Sequence, residues 1–118
     1  MTDQRLFSSL ELRPQLQDQL QRLGFNKMTT IQAAALPHVL AGADVVAQAS
    51  TGSGKTAAFG LGCLQHLQET KFHVQSLVLC PTRELADQVA DSFRSLAKNL
   101  ANTKIVTLCG GVAIAPQI

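Results

Sequence analysis

The chain has 118 residues, 46% of them hydrophobic, with ten Lys and Arg against eight Asp and Glu for a net charge of +2. That composition fits one soluble globular domain and excludes a collagen-like or disordered chain. The charge is too nearly balanced for composition alone to argue for nucleic acid. No run reaches the roughly 18 apolar residues of a membrane span, and "MTDQRLFSSL" at the N-terminus has no apolar signal core. A cytoplasmic protein without membrane contact is expected.

Leu16, Leu20 and Leu23 recur at helical spacing, with Gly24 as a stop signal. "TTIQAAALPHVLAG" reads as a second helix, weakened near Pro37 and ending at Gly42. Beyond it the period changes. "DVVAQA" (44–49), "SLVLCP" (76–81) and "KIVTLCG" (104–110) are short and apolar on both faces, the pattern of parallel strands covered by helices on both sides. Helices are expected between them, from Lys55 to about Glu69 and from Arg83 to about Leu100, where Leu85, Val89, Phe93 and Leu96 share one face. This order predicts an α/β fold built on a parallel sheet. "CGGVAIAPQI" trails off just after the third strand, so the chain reads as the N-terminal part of a longer protein.

Cys63, Cys80 and Cys109 lie far apart without metal spacing and read as buried, reduced thiols. His38, His66 and His73 read as ordinary surface or half-buried histidines, and Arg13, Lys98 and Lys104 as surface charges with no assignable role.

Between the first strand and the helix that follows lies "ASTGSGKT", Ala49-Ser50-Thr51-Gly52-Ser53-Gly54-Lys55-Thr56. It matches the phosphate-loop pattern G-x-x-x-x-G-K-[ST] except at the first position, where Ala49 replaces Gly. Gly52 and Gly54 let the backbone curl so that N–H groups point at phosphate oxygens. A helix N-terminus near Lys55 faces the same anion. Lys55 adds a charge for the β- and γ-phosphates, and the Thr56 hydroxyl suits Mg²⁺. The loop alone does not separate ATP from GTP.

"GFNKMTTIQ" upstream (Gly24 to Gln32), "PTRELA" downstream (Pro81 to Ala86) and the pair Gly110-Gly111 complete an ordered set of four motifs. That set resembles the DEAD-box RNA helicases over essentially the whole chain, and within them the bacterial DbpA type. The resemblance implies a partial RecA-like P-loop domain over residues 1–118, with the adenine-reading Q motif at about 5–33 and the phosphate loop at 49–56. It further implies ATP and Mg²⁺ as ligands and RNA as partner, here ribosomal RNA in assembly of the large subunit. Gln32 would read the adenine edge, since an amide offers the donor and acceptor that N6 and N7 require, with Phe25 on the ring face and Thr29 beside them. Thr29-x-x-Gln32 is also a capping box at a helix start. Met28 stands where the family usually has Pro, which would loosen the adenine pocket, and Phe7 matches an upstream aromatic or simply packs in the core. Pro81, Thr82, Arg83, Glu84, Gly110 and Gly111 would hold the RNA backbone without reading sequence. Thr82 and Glu84 equally suit a helix start, and the glycine pair an ordinary turn.

Hydrolysis in such a site also needs Walker B acids and an arginine finger. The sequence contains no "DEAD" and no "SAT". Loss of the finger alone costs roughly 10³–10⁵ in rate, so the chain is expected to bind ATP weakly and hydrolyse none. An open edge beside Val45 to Ala49 is expected to let the chain self-associate. A P-loop kinase of a small molecule and a non-catalytic nucleotide-binding module are the rival readings.

Overall fold

The computed structural model describes residues 5–50, 52 and 54–109. Helix α1 spans Pro14–Arg22. Proline suits the first helical position, where its missing N–H would have no intrahelical acceptor and its fixed φ is already helical. Leu16, Gln19 and Leu20 turn inward while Leu23, expected on the same face, stays exposed. The helix stops at Gly24, whose φ of 79° is a left-handed conformation open to glycine without Cβ strain. Ahead of α1, a 3₁₀ turn at Phe7–Ser9 drops Phe7 into the core. The Phe7 N–H donates to the Asn26 carbonyl at 2.9 Å, and Leu6 forms an isolated antiparallel bridge with Lys27.

Helix α2 covers Thr30–Leu40 and begins with a complete capping box between Thr29 and Gln32. Pro37 does not break it: the Ala41 N–H still reaches the Pro37 carbonyl at 3.2 Å before Gly42 turns the chain. Helix α3 covers Lys55–Gln65 and α4 covers Arg83–Leu96, each ending about four residues before the expected limit. Leu100 nevertheless stays in the core through a turn whose N–H donates to Ala97 at 2.9 Å. Leu16 and Leu20 of α1, Leu36 of α2, Leu61 and Leu64 of α3, and Leu96 of α4 form one buried cluster with Phe7 and Met28. Helix α3 presses hardest on α2: a Cβ at Gly62 would lie 2.1 Å from Val39 Cγ1.

The expected parallel sheet is not there. Among the described residues no ladder forms, and 44–49, 76–81 and 104–109 run as irregular chain. Val46 is 101% exposed and Leu79 85% exposed, so the apolar runs are not covered on both faces. The physical reason is that a strand exists only through a neighbour about 4.8 Å away that completes its hydrogen bonds. Apolar β-branched residues raise the benefit of such pairing without supplying the neighbour. The helices need only local bonds and a packed face, and they form. With no sheet among the described residues, the expected self-association has no sheet edge to use. Gly110, the last residue of that third segment, lies outside the described residues.

Candidate nucleotide site

The site is assembled at the junction of α2 and α3. Thr29 ends an extended stretch (φ −69°, ψ 169°), so its hydroxyl reaches back over the first turn of α2 and accepts from the Gln32 N–H at 3.4 Å. Gln32 Oε1 in turn accepts from the Thr29 N–H at 2.8 Å. The Gln32 amide nitrogen then donates across to the Gly54 carbonyl at 3.1 Å. Both polar atoms of this buried side chain are therefore engaged, one in its own helix cap and one on the phosphate-loop sequence.

Gly52 and Gly54 hold φ values of 82° and 89°, which lets the loop curl before Lys55 starts α3. A Cβ at Gly54 would lie 2.3 Å from Gln32 Nε2, so a side chain there would displace the Gln32 amide as well as strain the positive φ. Lys55 Nζ donates to the Ala49 carbonyl at 2.6 Å, closing the loop on itself. Ala49, Lys55 and Thr56 are half-buried and Ser50 is exposed; Thr51 and Ser53 lie outside the described residues.

Phe25 is largely exposed, its ring centroid 6.3 Å from that of Phe7. Phe7 itself is core. Met28 is buried, and its N–H donates to the Arg5 carbonyl at 2.6 Å, a bond that proline could not make. Pro81, Thr82, Arg83 and Glu84 form an exposed corner at the start of α4, where Thr82 Oγ1 accepts from the Leu85 N–H at 3.1 Å. Gly110 and Gly111 lie outside the described residues. The three cysteines are half-buried rather than fully buried. Among the described residues no three His, Cys, Asp or Glu side chains group as a metal site, and no helix is long and apolar enough to cross a membrane.

Sequence reasoning missed Arg13. Its side chain is mostly covered and fixed against the far end of α3 by an ion pair with Glu69. Nothing local announces this, since its partners lie more than fifty positions away.

A glycine-turned loop that opens a helix with Lys-Thr, tied to a capping glutamine upstream, is the arrangement of a P-loop class. A family model described as DEAD/DEAH box helicase matches residues 29–118, and the chain belongs to that family. It is 62% identical over 112 residues to the ATP-dependent RNA helicase DbpA of Escherichia coli (strain K12), covering 94% of this chain and 24% of that protein. It is 42% identical over 111 residues to the ATP-dependent rRNA helicase RRP3 of Meyerozyma guilliermondii, covering 94% of this chain and 23% of the relative. The crystal structure of a DEAD box protein from Methanococcus jannaschii superposes with a TM-score of 0.88 at 42% identity, over 95% of this chain and 31% of that one. The chain thus spans about a quarter of the length of these curated relatives.

Proposed function

We propose that the chain is the N-terminal ATP-binding part of an RNA helicase, the whole protein being an RNA-dependent ATPase that separates short RNA duplexes. The observation that carries this reading is the Gln32–Gly54 hydrogen bond, which joins an adenine-reading amide to the phosphate loop. Adenine would compete with the Gly54 carbonyl and the Thr29 N–H for the Gln32 amide, with Phe25 exposed to cover the ring. Lys55 would leave the Ala49 carbonyl for the β- and γ-phosphates, as the loop lysine does in this class. The residues fit Mg²⁺ only in part: the Thr56 hydroxyl would contribute one ligand, and the ion would neutralise phosphate charge. The acids that complete such a site have no counterpart in the "DEAD" sense within these 118 residues, so hydrolysis by this chain alone is not expected.

The exposed corner at Pro81 to Glu84, with Gly110 and Gly111, would hold RNA sugar-phosphate, aided by the N-terminus of α4. Family membership supports RNA as partner, and the rRNA helicase name of one relative supports ribosomal RNA; work in assembly of the large subunit is what the resemblance to the DbpA type implies. The reading places the protein in the cytoplasm. The exposed apolar side chains of Val46 and Leu79 offer a hydrophobic surface for contact with a second copy, without a sheet edge; a strictly monomeric scattering mass at millimolar concentration would remove that route.

Calorimetric titration tests the core of the reading. ATP is expected to bind more tightly than GTP, with Gln32→Ala erasing the preference and Lys55→Ala abolishing binding. Equal affinity for GTP would count against an adenine-reading helicase site.

A further inference from the structure

Helix α3 is held at both ends by residues outside it. At its N-terminal end stands the Gln32–Gly54 bond of 3.1 Å. Its C-terminal end is held by Arg13, from 51 to 56 positions away in sequence. The Arg13 backbone N–H donates to Gln65 Oε1 at 2.8 Å. Its Nη1 donates to the Leu64 carbonyl at 3.2 Å and the Leu67 carbonyl at 2.9 Å. Its Nη2 pairs with the Glu69 carboxylate. Leu64 lies in the last turn of α3, where its carbonyl also accepts from the Leu67 N–H at 3.3 Å, and a cation there meets the negative end of the helix dipole. Only 21% and 20% of the two charged side chains are exposed, so this pair is better shielded from water than an ordinary surface pair.

We propose that Arg13 is a positioning residue for the phosphate site. It fixes the tilt and axial rotation of α3, and with them the direction in which the first turn presents Lys55 and Thr56. This rests on the nucleotide reading above. An eleven-residue helix is about 16 Å long and internally bonded, so it moves as a rod. Gln32 sets where the N-terminus of that rod sits; Arg13 sets where it points. Leu61 and Leu64 remain anchored in the core, so losing the clamp re-aims the helix slightly rather than releasing it.

The test compares MgATP with adenosine on the 118-residue chain by calorimetry. Adenosine has no phosphate, so a phosphate-positioning residue moves only the first affinity, whereas a loss of general structure moves both. Arg13→Ala is expected to weaken MgATP binding roughly threefold to tenfold and to leave adenosine unchanged. Arg13→Lys keeps the charge without the fork of donors, and falls between. If Arg13→Ala fails to fold by thermal melting, Glu69→Gln and Gln65→Ala each remove one contact and must show the same phosphate-selective loss. Unchanged MgATP affinity in the folded variants, or equal losses for both ligands, overturns the proposal. Lys55→Ala separates the two readings. Unaltered chain that binds MgATP no better than Lys55→Ala disposes of the nucleotide site and of this inference together, whereas a Lys55 effect without an Arg13 effect disposes of the inference alone.

Discussion

Gln32 Nε2 donates to the Gly54 carbonyl at 3.1 Å while Gln32 Oε1 accepts from the Thr29 N–H at 2.8 Å. One buried amide thus closes the cap of α2 and anchors the residue that opens α3. Gln32→Ala leaves the Thr29 N–H and the Gly54 carbonyl without these partners. Thr29 is exposed and Gly54 half-buried, so the loss is that of two partly solvated hydrogen bonds at about 0.5–1.5 kcal/mol each, and urea denaturation should show it even without nucleotide. A variant as stable as the original would mean that water replaces the amide freely.

Gly54→Ala tests the same contact from the other side. At φ 89° an alanine carries strain of about 1–3 kcal/mol. Its Cβ would also lie 2.3 Å from Gln32 Nε2 and 3.2 Å from Thr29 Oγ1, so the glutamine must leave its place. Stability and ATP affinity are expected to fall together. Combined with Gln32→Ala, the cost should be less than the sum of the two single costs, because the clash is then already relieved.

Gln19 is buried between α1 and α4; its Nε2 donates to the Ser95 carbonyl at 2.7 Å, and its Oε1 has no hydrogen-bond partner among the described residues. The orphaned oxygen costs about 1–3 kcal/mol, more than the net 0.5–1.5 kcal/mol of a neutral hydrogen bond. Ser95 is exposed, so water can serve its carbonyl once the amide is gone. Gln19→Met, of similar length, is therefore expected to stabilise the chain by about 1 kcal/mol. A rise of several degrees in Tm checks the sign; a fall shows that the Ser95 bond dominates.

What the sequence made legible is what local chemistry decides. The Thr29–Gln32 box, the Thr82 cap, and the stops at Gly24 and Gly42 each involve residues within a turn of one another, and the helices lie where those signals put them. The sheet was not legible in the same way. Val46 and Leu79 announce a capacity for burial, but pairing depends on a neighbour that no local pattern specifies, and here both side chains face solvent. The site divides along the same line. Gln32 and Gly54 were each visible as motif residues, but the bond between them crosses 22 positions. Arg13, beside a proline that starts a helix, looked like any surface charge because its acceptors lie near the end of a helix more than fifty positions on.

The contact between α2 and α3 sets two local rules against each other. Alanine is favoured over glycine inside a helix by about 1 kcal/mol, so Gly62→Ala in α3 should stabilise if propensity alone mattered. The new Cβ, however, would lie 2.1 Å from Val39 Cγ1 and 3.5 Å from Val39 Cβ. Overpacking of that kind costs about 1–3 kcal/mol when the backbone must shift, and the tight atom sits on a β-branched side chain with little rotamer freedom. Gly62→Ala is therefore expected to destabilise by about 1–2 kcal/mol net of the propensity gain. Val39→Ala removes the obstructing methyl, and in that background Gly62→Ala should turn neutral or stabilising. A double-mutant cycle by urea denaturation measures the difference. Additive single effects would show that α2 and α3 separate at no cost and that the close approach at Gly62 is not what holds them.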